Sequence, residues 1–258
     1  MAASDVRHPS DPARRIRAVL FDLDGTLYRQ APLRRLMAME LLTLPLSGPL
    51  KAPRRLRALR AYRGAQEQLR NGSAWLAEGG SRASAEGGAV AQAQLALAAR
   101  ASGLPDAEVA ALVDEWMQQR PLKHLARCRM PGADALLAFL RERAVPVAVL
   151  SDYPAVEKLR ALGWADRFDF VLSAADPEIG RFKPDPRGFQ RACARWGLPP
   201  REVLMVGDRA AVDGAGAAAA GMPSVILSPR PDGSAAVPRD CVFVASMEEL
   251  HRVLDDRR

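Results

Sequence analysis

Three short apolar runs, each ending on a polar or acidic residue, constrain this chain more than any other feature. They are Ala18-Val19-Leu20-Phe21 before Asp22, Val147-Ala148-Val149-Leu150 before Ser151, and Val203-Leu204-Met205-Val206 before Gly207 and Asp208. Continuous β-branched and Leu-rich runs of this length suit strands buried on both faces, as a parallel sheet requires. Helical patterns at 154–162 and 185–196, with a weaker apolar run at 168–172 between them, separate the second run from the third. An Ala-rich helix at 210–220 and apolar runs at 224–227 and 241–244 follow. Strands alternating with helices predict an α/β fold, a doubly wound, Rossmann-like parallel sheet. Ligands of such sheets bind beyond the carboxyl ends of the strands, and all three polar run-ends fall there.

Residues 29–130 do not fit that alternation. They read as helices over 33–46, 53–70, 88–101 and 106–119, broken by a Gly/Ser-rich stretch at 78–88 that predicts a mobile loop. The expected organisation is an α/β core of 16–28 and 131–258, a helical cap domain of 29–130 sitting over the strand ends, and a disordered tail of 1–15. The tail has no apolar segment of the kind a secretory signal needs. No stretch approaches the roughly 18 apolar residues of a membrane helix. Cys128, Cys193 and Cys241 are widely spaced and form no CxxC pair. They read as small buried hydrophobes in a reducing compartment. A soluble cytoplasmic protein is expected, with its oligomeric state open.

The charge is unevenly spread. The chain carries +7, yet residues 29–130 hold 16 Lys and Arg against 8 Asp and Glu, while the remainder holds 21 against 22. Lys51, Arg54, Arg55, Arg57, Arg60 and Arg63 fall within thirteen residues that contain no acid. The favoured reading is the solvated face of a helix whose Leu56, Leu59 and Tyr62 pack inward. A field that draws an anionic substrate to the cap is the sharper alternative. A nucleic-acid partner ranks third, because no binding motif or aromatic interleaving accompanies the charge.

The chemistry is concentrated at the run-ends. In Asp22-Leu23-Asp24-Gly25-Thr26 two carboxylates leave a strand on alternate residues, and Gly25 permits the sharp turn that follows. Such a pair can divide nucleophilic and acid–base work between its members. Asp208 and Asp213, after the third run, add hard oxygen ligands of the kind Mg²⁺ prefers. The plain alternative for Asp213 is an acid at a helix N-terminus. Lys183, in Arg181-Phe182-Lys183-Pro184, supplies a cation where four carboxylates converge. The hydroxyl of Ser151 suits a phosphoryl oxygen, or caps the next helix.

The ordered set of Asp-x-Asp-Gly-Thr, a strand ending in Ser, Lys-Pro, and Gly-Asp-x₄-Asp resembles the haloacid dehalogenase superfamily. The resemblance runs over nearly the whole chain from Ile16, in the branch with a helical cap between the first two motifs and close to the phosphoglycolate phosphatases. It implies a Mg²⁺-dependent phosphatase acting on a small phosphomonoester. Asp22 resembles the nucleophile and a metal ligand. Asp24 resembles the acid/base, its backbone carbonyl a further metal ligand. Ser151 and Lys183 match the phosphoryl-binding pair. Asp208 matches a direct metal ligand, and Asp213 the acid that holds a metal-bound water. Two positions depart from the pattern. Tyr28, Arg29 and Gln30 stand where the family often has an acid, and Asp152 where Asn is common; the latter is expected to point away from the phosphoryl site or to pair with a cation.

Several rivals share parts of this pattern. Dehalogenases of the superfamily need neither metal nor an acid two residues after the nucleophile, so Asp24 and Asp208 argue against them. A phosphomutase shares every motif. A signalling receiver domain carries its acid pair and its phospho-acceptor on different strands and lacks an insert of this size after the first. A catalytically inactive interaction protein would not be expected to keep every catalytic position.

Overall fold

The computed structural model describes residues 6–8, 11–42, 52–70, 89–228, 238 and 240–255. The predicted loop at 78–88, the end of the first cap helix at 43–46, and Lys51 lie outside them. The chain forms two compact units, one of Met1–Arg29, Arg129–Ala174 and Lys183–Arg258, the other of Gln30–Cys128 and Ala175–Phe182.

The first unit is built on strands β3 (Ala18–Phe21), β4 (Val147–Ser151), β5 (Phe170–Ser173), β6 (Val203–Gly207), β7 (Ser224–Leu227) and β8 (Cys241–Val244). They make one sheet in the order β5-β4-β3-β6-β7-β8, and every neighbouring pair is parallel. Every residue of β3, β4 and β6 is buried. Helices cover both faces of such a sheet, which explains the unbroken apolar runs. The helix Ala133–Glu142 was not foreseen and buries Leu136, Leu137, Phe139 and Leu140. The helix Met247–Asp255, also unforeseen, buries Met247, Leu250 and Leu254. The 210–220 pattern resolves into a wide π-helical turn, Ala210–Gly214, and a short α-helix, Ala215–Ala219.

From β3 the order runs outward through β4 and β5, then returns to place β6 on the other side of β3. The sheet order therefore reverses between β3 and β6, which is where ligands bind in open α/β sheets.

The N-terminal segment departs from expectation. Strands β1 (Val6–His8) and β2 (Asp11–Ile16) pair antiparallel, Val6 opposite Ile16, where a disordered tail over 1–15 was expected. The ribbon is tied at its base, because Ile16 is fully buried and Arg17 both donates its N–H to the Glu202 carbonyl (2.8 Å) and meets the Glu202 carboxylate (3.1 Å). The three cysteines are free thiols, with Cys128 and Cys193 buried and Cys241 half-buried.

The second unit is helical. Its helices include Gln30–Leu41, Ala52–Arg70, Ala89–Ser102 and Asp106–Val113, the last widening into a π-helical stretch, Asp114–Gln119. In Ala52–Arg70 the residues Ala58, Leu59, Tyr62 and Ala65 are buried. Arg54, Arg57, Arg60 and Arg63 are exposed, and Arg55 meets Glu108 at 3.6 Å. Arg54, Arg57, Arg60 and Arg63 thus lie on the outward face of an amphipathic helix. No helix among the described residues is long and apolar enough to cross a membrane.

Candidate active site

Asp22 follows β3 directly, and its N–H donates to the Val206 carbonyl of β6 (2.8 Å), so the nucleophile candidate sits at the β3/β6 reversal. Its side chain is enclosed rather than open to solvent at the strand end, with the residue only 6% exposed. One carboxylate oxygen accepts from the Lys183 ammonium (2.5 Å) and the other from the Thr26 hydroxyl (3.0 Å). Gly25, at φ 111°, makes the turn that brings Thr26 back to Asp22.

Lys183 also donates to Asp213 (2.7 Å), so one ammonium bridges two carboxylates that approach from different strand ends. The second oxygen of Asp213 accepts the Arg209 N–H (3.1 Å), as an acid near a helix start would. Oxygens of Asp22, Asp208 and Asp213 lie within 4.8 Å of one another. Gly207 lets Asp213 in: a Cβ at Gly207 would stand 2.4 Å from the Asp213 Cβ.

The electrostatics follow from burial. Burial pushes Asp22 well above the usual carboxylate range, and Asp213, Asp208 and Asp24 add to the shift that Lys183 opposes. Asp208 is pushed up to about 6 by burial and by Asp213, with Lys183 and Arg209 pulling the other way. Burial works against the charge on Lys183, but Asp213, Asp22 and Asp152 outweigh it and hold the ammonium above its ordinary value. One ammonium cannot neutralise three carboxylates. An all-oxygen donor set carrying uncompensated negative charge fits a hard divalent cation, and Asp22, Asp208 and Asp213 are the side chains that fit it.

The Asp24 carboxylate stands outside that trio. Its Oδ1 accepts from the Lys158 ammonium (2.6 Å) and from the Tyr28 hydroxyl, and its Oδ2 lies 3.4 Å from the Ser151 hydroxyl. Burial pushes Asp24 up, yet the charge and hydrogen bond of Lys158, the hydroxyl of Tyr28 and the charge of Lys183 together bring it below its ordinary value. Ser151 ends β4 and accepts the Tyr153 N–H (3.2 Å); the next helix, Val156–Ala161, begins with its N-cap at Ala155, so Ser151 does not cap it. Asp152 accepts the Lys183 N–H (2.9 Å) and thereby braces the loop that delivers the lysine.

All six residues singled out in the sequence therefore meet at the carboxyl ends of β3, β4 and β6 or in the Lys183 loop. Lys158, Tyr28 and Thr26 were not singled out. A lysine in a helical pattern reads as a solvated charge, and no local signal marks Lys158; Tyr28 was noted only as a departure from a family pattern.

A parallel sheet with a buried acid–lysine cluster at its order reversal has the architecture of an enzyme. A family model described as haloacid dehalogenase-like hydrolase matches residues 16–221. A phosphoglycolate phosphatase from Rhodospirillum rubrum is 31% identical over 216 residues, which cover 82% of this chain and 79% of that protein. A phosphoserine phosphatase from Thermus thermophilus is 41% identical over 98 residues, covering 37% of this chain and 39% of that protein, so the chain spans only about two-fifths of that relative's length. A crystal structure of a 2-haloacid dehalogenase from Pseudomonas syringae superimposes with a TM-score of 0.61 at 25% identity, covering 93% of this chain and 98% of that one. The chain belongs to the haloacid dehalogenase-like hydrolase family.

Proposed function

We propose that the chain is a Mg²⁺-dependent phosphatase that hydrolyses a small-molecule phosphomonoester through an aspartyl-phosphate on Asp22. The observation that carries this reading is the placement of the Asp24 carboxylate, with one oxygen toward the Ser151 hydroxyl and two residues along from Asp22. A second acid in that position suits a reaction in which a leaving oxygen must be protonated and an attacking oxygen deprotonated. The phosphatase names of two relatives support the same choice. Likeness to a dehalogenase is a likeness of fold, and fold alone does not choose the reaction.

In the first step a carboxylate oxygen of Asp22 forms a bond to phosphorus, and the ester P–O bond breaks. The departing oxygen keeps that electron pair and takes a proton from Asp24. Against burial, Lys158 and Tyr28 hold the Asp24 carboxyl below its ordinary value in the free site, and the negative charge of the bound ester moves it back up. In the second step Asp24 receives a proton from water as the water attacks the phosphorus of the aspartyl-phosphate, releasing phosphate and restoring Asp22. Ser151 and Lys183 hold phosphoryl oxygens, and Asp152 holds Lys183 in place. The carboxylates of Asp22, Asp208 and Asp213 with the backbone carbonyl of Asp24 would hold Mg²⁺, which supplies the positive charge that lets an anionic ester approach a cluster of carboxylates. The helical unit that follows Arg29 in the chain is assigned the role of a cap that selects the leaving group.

The test is a turnover screen against phosphomonoesters with and without Mg²⁺, reading released phosphate. EDTA is expected to remove all activity and Mg²⁺ to restore it. Asp208→Ala is expected to raise the Mg²⁺ concentration for half-maximal rate by more than about tenfold, as loss of a ligand does. Phosphate release at full rate from the chelated enzyme would end the metal-dependent reading. An esterified phosphate reappearing elsewhere on the substrate, with none released, would point to a mutase.

A further inference from the structure

Lys158 is a buried cation that neither gives nor takes a proton in the chemistry above. It lies in the six-residue helix Val156–Ala161, where a lysine would ordinarily run its chain along the surface and keep its ammonium in water. Here the side chain is only 8% exposed, and the ammonium reaches Asp24 Oδ1 at 2.6 Å. The Tyr153 ring lies 5.9 Å from the same nitrogen. Enclosing a charge pair costs desolvation on both partners and is seldom a net gain in stability, so the arrangement calls for another reason.

The geometry at Asp24 supplies one. Oδ1 accepts from two donors, Lys158 and the Tyr28 hydroxyl, while Oδ2 faces the Ser151 hydroxyl at 3.4 Å. Tyr28 is itself fixed by the backbone: its carbonyl accepts the Gly25 N–H at 3.1 Å, and it pairs with Arg129 in an isolated antiparallel bridge. The carboxylate is thus gripped at one oxygen from two directions, which fixes its rotation about the side-chain bond.

We propose that Lys158, assisted by Tyr28, is a positioning residue that occupies Oδ1 of Asp24 and reserves Oδ2 for the leaving-group oxygen. The proposal rests on the phosphatase reading. With Oδ1 filled as an acceptor, any proton that Asp24 carries is placed on Oδ2, on the side of Ser151. When the Asp22 oxygen bonds to phosphorus and the ester bond breaks, that proton passes from Oδ2 to the departing oxygen, whose electron pair forms the new O–H bond. Without Lys158 the carboxyl group would rotate, and its proton would be on the wrong oxygen for part of the time.

The leaving group exposes such a role. A p-nitrophenolate departs without needing a proton, whereas an alkoxide does not. The ratio kcat/KM counts steps only through the first irreversible one, transfer to Asp22, so later hydrolysis of the aspartyl-phosphate does not enter it. The experiment measures kcat/KM for wild type, Lys158→Met and Tyr28→Phe on p-nitrophenyl phosphate and on the primary alkyl monophosphate that wild type turns over fastest. Lys158→Met is expected to lose about tenfold or more on the alkyl ester and no more than about threefold on the aryl ester, a fraction of what a general acid contributes. Tyr28→Phe is expected to show the same selectivity with a smaller loss, and it carries the test alone if Lys158→Met does not fold. Equal losses on the two esters, or no loss on either, would overturn the positioning role and leave the phosphatase reading intact. A wild-type protein that turns over neither ester would defeat the phosphatase reading, and the positioning role with it.

Discussion

Asp22→Asn is expected to lower turnover by at least about 10³-fold on every ester, as removal of a covalent nucleophile does, and to leave the protein folded. The amide can keep both contacts of the carboxylate. Its oxygen accepts from Lys183, and its NH₂ donates to the Thr26 hydroxyl, which can accept as well as donate. What it lacks is a nucleophilic oxygen. Stability is expected to move the other way. Burial and three neighbouring carboxylates raise Asp22 in the folded chain above its value in the unfolded one. A raised acid contributes stability that is present at low pH and is lost as the pH climbs through the folded value. At neutral pH without Mg²⁺, the raised Asp22 carboxyl therefore works against folding, and a neutral amide removes that burden. The Asp22→Asn protein should melt at or above the wild-type temperature under those conditions, an instance of activity held at the expense of stability. Activity within tenfold of wild type, in a variant shown to be folded by circular dichroism, would end the covalent mechanism.

The parts of the fold that could be read from the sequence are those written in short-range pattern. The runs ending at Asp22, Ser151 and Gly207 are buried parallel strands, because burial on both faces imposes an unbroken apolar composition that needs no partner to recognise. Their polar ends mark the ligand side for the same reason. Strand order was not legible, since the reversal between β3 and β6 depends on which strands pair across long connections. The ribbon of β1 and β2 escaped because Asp11-Pro12-Ala13-Arg14-Arg15 carries none of the alternation that announces a strand. The site divides in the same way. Asp22, Asp24, Asp208 and Asp213 stand beside the strand ends in sequence. Lys158 is brought to Asp24 only when a helix 134 residues away along the chain docks, and Asp152 reveals its purpose only when the Lys183 loop folds over it.

Gly207→Ala is expected to disable the site without replacing any of its side chains. A methyl group at Gly207 would lie 2.4 Å from the Cβ and Cγ of Asp213 and 2.5 Å from its Oδ2, where carbon atoms normally stand about 3.5–4 Å apart. The clash cannot be relieved by swinging the carboxylate alone, because Asp213 Cβ is bonded directly to the backbone of the Ala210–Gly214 turn. The turn itself must move outward, and it would carry Asp213 off Lys183 and strain the Arg209 N–H bond to its other oxygen. Overpacking of this kind costs about 1–3 kcal/mol of stability. The larger effect falls on function, since about 1 Å of misplacement in a catalytic group costs on the order of 100-fold in rate. A raised Mg²⁺ requirement should accompany the rate loss, since the proposed reading has Asp213 help to hold the ion. Gly64→Ala supplies the contrast. Gly64 lies inside the Ala52–Arg70 helix with nothing within 4 Å of an added Cβ, so the same chemical change there is expected to stabilise by roughly 0.5–1 kcal/mol. Measuring melting temperature, rate and Mg²⁺ dependence for the two variants side by side separates the cost of a methyl group from the cost of its location. If Gly207→Ala kept its rate within twofold and its Mg²⁺ dependence unchanged, Asp213 would have no part in the metal site and the turn would be soft enough to absorb the methyl group.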